Sequence, residues 1–564
     1  MVRVEHGPGG SVIRTAGHVF PAEERRLFLA HFIVAHLAFF LGIIAGLLQG
    51  LSRTGFLVLP STIGYYQLLT LHGVALAYVF TTFTIVGFLL LGTAKTTGGS
   101  FTPPERRFAW AGFVLMLAGT ALGVFAILSN RATVLYTFYP PMHAHPTFYF
   151  GILFVLFGSW LPGVSLFSAY RRWKSAHPGE PSPLFAYMAV ATYIMWLIAT
   201  LGVLVELVVQ LIPWSLGWVP TIHVGAARTF FWFFGHPVVY FWLLPAYIYW
   251  YVNLPRMIGG EIFSHLLPRL TFLLFLLYSI PVGLHHQFGD PGIAPIWKLV
   301  QTTLTFFVVI PTLLTVFTVL ATFEAAGRGL GATRPFAWIR KLPWQDARFL
   351  APVAGMLLFI PGGAGGIINA SYQLNTVVHN TLWLPGHFHL TLATTVVLTY
   401  FAITFWAVPA LTGRAYTSGA NRAGIAAVLL WSTGMLLMST AMHVLGVLGE
   451  PRRTAFATYA GAAIVERWAP WRALLAGGAV LLFLGALVYL AVVAYLFLFA
   501  PRAEAIVDFP IGDVRKKAPP PPPILERWGL WVAIAVALIL IAYTGPFIEL
   551  LTQTKNGAPP LRTW

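Results

Sequence analysis

The chain of 564 residues contains no cysteine. Disulfides, thiolate zinc sites, iron–sulfur clusters and covalently attached c-type haem are thereby excluded, and histidine is left as the main metal ligand. Charge is scarce too, with Asp, Glu, Lys and Arg at 9% of residues against roughly 25% in a soluble domain. Acids are the scarcer sign, 17 against 34 bases. What fills the sequence is apolar: 58% of residues are hydrophobic and the mean hydropathy is +0.77. Runs long enough to cross a ~30 Å hydrocarbon core recur at 27–50, 64–91, 108–129, 147–169, 187–211, 229–252, 264–288, 300–323, 349–370, 378–411, 423–448, 473–499 and 528–551. The pattern predicts an all-α, polytopic membrane helical bundle of about 13 transmembrane helices. It reads as a single membrane domain over 1–564, with a core at 27–499, a charged Pro-rich linker at 500–527 and an extra C-terminal span at 528–551. Five consecutive prolines, Pro519 to Pro523, suit that linker to a stiff extended spacer. The polar start is followed by a span too long for a signal-peptide core, so no cleaved leader is expected.

Loop charge orients the bundle. Of the 34 Lys and Arg residues, 24 fall in the N-terminal segment and every second connection after it. The positive-inside rule then makes the N-terminus cytoplasmic and the C-terminus external. The net charge of +17 is read as this loop charge, and no nucleic-acid partner is expected. Four arginines in one outer loop, Arg452, Arg453, Arg467 and Arg472, break the pattern and call for another role.

Histidine placement carries the functional signal. In the stretch WLPGHFHL, His387 and His389 are two residues apart, about 200° of rotation on an α-helix. The two imidazoles therefore leave on opposite faces and can serve two different metals. His72, His236, His387 and His389 all lie ~10–17 Å below the outer surface at 1.5 Å per residue, and His285 and His286 come at the outer end of span seven. Polar groups at such depth are expensive and mark sites, and neutral imidazole suits iron and copper. His236, His285 and His286 can form a three-nitrogen copper site with an open position. His387 can supply one axial bond to a haem facing that copper, and His389 with His72 can close both axial positions of a second haem. By contrast His31, His36 and His443 read as hydrogen-bonders between helices, and His143, His145, His177 and His223 as loop residues.

The motifs GHPVVYFWLLP from Gly235, HH at His285–His286 and PGHFHL with the upstream His72 resemble subunit I of the haem–copper terminal oxidases, in its B-type, ba3-like branch. The resemblance implies a low-spin haem of b type on His72 and His389, a high-spin haem of a type on His387, and copper (CuB) on His236, His285 and His286. It further implies reduction of O2 to water coupled to proton translocation, in a prokaryotic plasma membrane. Electrons would come from cytochrome c through a second subunit carrying a dinuclear copper centre, because no cysteine site for one exists in this chain. Tyr240, four residues from His236 and on the same helix face, can deliver a proton and an electron to the substrate, and in the family this pair is covalently joined. A nitric oxide reductase of the same superfamily would lack this tyrosine. A His-lined channel without redox cofactors is the rival from another class.

Protons must arrive from inside. Tyr247 and Tyr251 on span six, and Thr312, Thr315 and Thr318 on span eight, recur at helical spacing and line a candidate relay. Pro237-Val238-Val239 follows His236 where A-type relatives place a glutamate, so a second route of that kind is not expected. Glu206 is the one deeply placed acid, read either as a structural hydrogen-bonder or as part of proton uptake. Arg452 and Arg453 match haem propionates by bidentate pairing, with His379 and Asn380 as further hydrogen-bonders. Asn375 stands where some relatives have an aspartate, which leaves the pump exit open.

Overall fold

The computed structural model describes residues 3–6, 12–15, 18–553 and 557–562. Hydrocarbon offers the backbone no hydrogen-bond partner, so apolar spans satisfy it internally as helices. Among the described residues, twelve helices are long and apolar enough to cross a membrane: α1 (Ala22–Arg53), α2 (Tyr65–Thr96), α3 (Pro103–Leu128), α4 (Pro146–Ala176), α5 (Leu184–Ser215), α6 (Val224–Met257), α8 (Pro295–Gly329), α9 (Ala347–Ala370), α10 (Trp383–Thr412), α11 (Ser418–Val447), α12 (Ala463–Leu498) and α13 (Trp528–Thr552). The thirteenth, α7 (Leu266–Tyr278), is shorter. Among the described residues two small strand pairings accompany them, Arg3–His6 with Val12–Thr15 and Ile222–His223 with Gly557–Ala558.

Helix starts follow local chemistry. At α3 the sequence Thr-Pro-Pro-Glu supplies a capping box, with Thr102 N–H donating to Glu105 Oε2 at 2.7 Å and Pro103 at the first helical position. α3 and α4 approach closely through glycines: a Cβ on Gly119 would lie 2.5 Å from the Gly151 carbonyl oxygen. Small residues at such contacts are the usual means of packing helices in lipid.

Three departures from simple spans shape the site. Span seven does not continue to residue 288. α7 stops at Tyr278, because Pro281 lacks an N–H and its ring clashes one turn back, and a 3-10 turn over Gly283–Gln287 follows. α6 is broken at His236, between segments Val224–Gly235 and Pro237–Ile248, again before a proline. Span ten starts at Trp383 instead of 378: a short helix Tyr372–Val378 ends there and Asn380 adopts a left-handed φ of 57°, so His379 and Asn380 belong to a loop.

The Pro-rich linker is pinned down along its course. Lys95 Nζ meets Asp508, Gly512 N–H donates to the Val252 carbonyl at 2.6 Å, and Glu526 takes Arg269 at 2.8 Å and Lys174 at 2.7 Å. The Glu526 carboxyl is held below its ordinary range by Lys174, Ser182 and Arg269, against the opposing effect of burial.

At the opposite end a buried triad ties α1, α12 and the loop between α11 and α12. Glu450 Oε1 receives Arg53 Nη2 at 3.2 Å and Arg472 Nη2 at 3.1 Å. This accounts for Arg472, one of the four outer arginines. Replacing Glu450 by Ala strands two buried guanidiniums. The expected cost is about 3–5 kcal/mol, measured as a lower thermal-unfolding midpoint in detergent; an unchanged midpoint would refute the triad as a stability element.

Candidate functional site

His236, His285 and His286 converge. One ligand atom from each lies within 4.8 Å of the others, and ring centres stand 4.5 Å apart for His236–His285, 4.2 Å for His285–His286 and 5.5 Å for His236–His286. The breaks at Pro237 and Pro281 make this possible, because consecutive histidines leave a 3-10 turn ~120° apart and can still close on one point. His285 Nδ1 meets Thr305 Oγ1 at 3.1 Å, while that hydroxyl donates to the Gln301 carbonyl. His285 Nδ1–H is therefore the donor, and Nε2 is left with its lone pair for a metal. His236 Nδ1 and His286 Nε2 face each other at 3.3 Å. Two imidazole lone pairs so close repel unless a proton or cation joins them. The ring of His286 stacks on Trp232, with centres 3.8 Å apart and planes 8° apart.

Tyr240 lies beside this pocket, its ring centre 5.2 Å from that of His236. His236 Nε2 is buried without a hydrogen-bond partner.

His387 and His389 do separate. His387 Nδ1–H donates to the Gly362 carbonyl of α9 at 2.7 Å. A Cβ on the neighbouring Gly366 would lie 2.7 Å from His387 Cε1, so only glycine lets α9 approach this ring. His389 turns to α2, where its ring and that of His72 are 6.3 Å apart at centre and 9° from parallel. Each Nδ1 is already engaged, His72 with the Gly42 carbonyl at 2.9 Å and His389 with the Pro385 carbonyl at 2.6 Å. That leaves the Nε2 atom of each ring free to bind a metal held between them.

Arginines crowd the outer mouth. Arg452 donates from Nη2 and Nε to Asn380 Oδ1 at 3.0 and 3.3 Å. Burial, then the neighbouring Arg453 charge, pushes its guanidinium down to about 9. Arg453 lies over the Tyr139 ring at 4.9 Å, with its Nη2 buried and unpartnered. His379 Nδ1 meets Asn375 Oδ1 at 3.0 Å, and burial and Arg452 lower the His379 pKa. Asn375 itself donates to the Asn369 carbonyl at 2.7 Å. A buried and a half-buried guanidinium that have only amide and aromatic partners among the described residues are a cradle for an anion.

The relay residues also meet. Tyr251 Oη donates to Thr315 Oγ1 at 2.8 Å, also contacts Thr271 Oγ1 at 3.3 Å, and pairs with Thr318. Tyr247 lies beside Thr312. Tyr240 and Tyr247 both pack on Phe275, at 5.4 and 5.5 Å. Glu206 stands apart from all of these, buried in a π-helical stretch of α5.

Comparison with known proteins agrees with this geometry. Residues 26–481 match the family model of cytochrome C and quinol oxidase polypeptide I. The chain belongs to that family. It is 40% identical over 556 residues to cytochrome c oxidase subunit 1 of Thermus thermophilus, covering 96% of this chain and 97% of the relative. Quinol oxidase subunit 1 of Sulfolobus acidocaldarius is 25% identical, covering 69% of this chain and 74% of that one. A cryo-EM structure of a haem–copper terminal oxidase dimer superposes with a TM-score of 0.91 at 36% identity, covering 96% of this chain and 95% of that one.

Haem–copper oxidases hold haems and copper, and the donor sets here fit them: the three-histidine cluster fits the copper, the facing His72 and His389 fit a doubly ligated haem, and the anion cradle fits propionates. Some residues escaped the sequence reading. Trp232 braces His286 and stands four before His236. Thr305 orients His285 and lies seven before Thr312, so helical spacing pointed to both. Thr271, on α7, had no such signal. Replacing Trp232 by Ala frees the His286 ring and is expected to lower copper affinity about 10–100-fold, read as copper per chain after dialysis with haem content unchanged.

Proposed function

We propose that this chain is the catalytic subunit of a terminal respiratory oxidase, reducing O2 to water with four electrons and four protons and coupling that reaction to proton translocation. The observation that carries the reading is Tyr240 beside the three-imidazole pocket, its ring 5.2 Å from His236. His236, His285 and His286 would hold copper, His387 a high-spin haem of a type, and His72 with His389 a low-spin haem of b type. When bound, these groups supply electron transfer and O2 binding. The protein supplies position and protons.

Protons would enter at Thr318 and pass through Thr315 and Tyr251, then Thr312 and Tyr247, to Tyr240. Each hydroxyl both donates and accepts, so a proton can leave one side of the group as another arrives. Thr315 already donates to the Pro311 carbonyl at 2.9 Å, leaving its lone pairs to accept from Tyr251. Tyr240 would give the last proton at its Oη to the oxygen substrate. Arg452 and Arg453, with Asn380 and His379, would clamp the propionates and so fix the haem planes. Electrons would come from cytochrome c through a partner subunit with a dinuclear copper centre.

The first test is a reduced-minus-oxidised visible spectrum of the native complex, with and without carbon monoxide, alongside copper analysis. Two haems, one shifted by carbon monoxide, and one copper in this chain are expected. A colourless protein would overturn the oxidase reading in favour of a His-lined channel. Tyr240→Phe should lower turnover by about 10²–10⁴-fold while both haems and the copper remain. Turnover near the parent value would remove Tyr240 from the reaction.

A further inference from the structure

Glu206 is the acid that the oxidase reading leaves without a task. It is fully buried, and neither carboxylate oxygen has a hydrogen-bond partner among the described residues. A structural hydrogen-bonder would have one. Proton uptake is equally unsuited to it, since the relay runs through α6, α7 and α8 towards the cytoplasmic end. Glu206 stands nine residues from the outer end of α5, at a level comparable with His236, twelve residues from the outer end of α6.

Its surroundings point outward. Gln210 and Trp214 follow at steps of four, and Gln210 Oε1 and Trp214 Nε1 are likewise buried without partners. Residues four apart stand one above another on a helix face, and the helix is π-wound from Glu206 to Leu211, a distortion frequent at functional sites. Three orphan polar groups thus form a row rising to the outer end of α5. A buried water needs roughly two to four polar partners, and this row supplies them at successive turns. On the other side of Glu206, Val203 lines an apolar cavity of about 50 Å³ together with Tyr78, Phe148 and Phe234. Phe234 is two residues from His236. Thr120 Oγ1, on the same wall, is buried and unpartnered.

The titratable groups facing Glu206 are Tyr78 of α2 and Tyr149 of α4. Neither carries positive charge, and neither phenol bonds to the carboxyl: Tyr78 Oη donates to the Tyr136 carbonyl at 2.8 Å, and Tyr149 Oη accepts from Ala144 N–H at 3.2 Å. A carboxylate without a cation or donor is costly to bury.

We propose that Glu206 is a proton-exchanging carboxylic acid at the level of the metal site, trading its proton with the outer face through water held by Gln210 and Trp214. The carboxyl releases one proton to this water when positive charge gathers at the metal site, becoming a carboxylate, and takes one proton back when that charge is gone. No electron moves on or off it. The inference rests on the oxidase reading for the charge that drives the exchange.

The test is infrared spectroscopy of the whole oxidase complex in H2O and D2O, comparing the parent with Glu206→Gln and Gln210→Leu. The parent should show a neutral carboxylic carbonyl band that shifts in D2O and changes on reduction, and Glu206→Gln should lose that band while keeping its haem spectra. Gln210→Leu should keep the band and slow its deuterium exchange by about tenfold or more. A complex with haem bands in which this carbonyl band is absent, survives in Glu206→Gln, stays the same on reduction, or exchanges equally fast in Gln210→Leu overturns the proposal alone. A carbonyl band in a protein without haem bands overturns the oxidase reading, and the coupling with it.

Discussion

An imidazole has two nitrogens, and the site depends on how this bundle divides them. His72, His285, His387 and His389 each commit Nδ1 to an oxygen of the surrounding protein, three to backbone carbonyls and one to the Thr305 hydroxyl. That choice fixes the tautomer and leaves Nε2 as a lone pair aimed away from the anchoring oxygen. His236 and His286 differ, presenting Nδ1 and Nε2 to each other at 3.3 Å. Their arrangement is stable only with something positive between them, and the Trp232 stack holds His286 to it.

Irregular backbone is what lets so many ligands meet. Membrane helices are tolerant of breaks only where neighbouring protein reclaims the freed polar groups, and the breaks here sit at the site. Pro281 ends α7 and creates the turn bearing His285 and His286, and the Gly283 N–H exposed there donates to Tyr543 Oη of α13 at 2.8 Å. The C-terminal span thus supports the metal pocket even though it lies beyond the matched region 26–481. π-wound segments follow His72 and begin at His389.

The outer mouth is electropositive by construction. Among the described residues Arg452 and Arg453 have no carboxylate partner, whereas Arg53 and Arg472 share Glu450 and hold the loop that presents them. The same loop connects by backbone to the segment before α10, with Arg452 N–H donating to the Asn380 carbonyl at 2.9 Å. Two functions of one loop are therefore mechanically joined: closing the top of the bundle and offering guanidinium to an anion.

The run of membrane-crossing helices, all but the shortened seventh, the opposite faces of His387 and His389, and the nearness of Tyr240 to His236 were legible in the sequence itself. Hydropathy and helical spacing are properties of one stretch of chain, and they survive folding. Tertiary structure decided the rest. Which nitrogen His72 and His387 present depends on an oxygen from another helix, Gly42 for His72 and Gly362 for His387. That α7 would stop early, that His379 and Asn380 would lie in a loop, and that the linker would be pinned at Asp508 and Glu526 were set by prolines and partners acting across the bundle. Glu206 makes the distinction plainest: its depth could be counted along α5, but its lack of any partner is a fact about every helix around it.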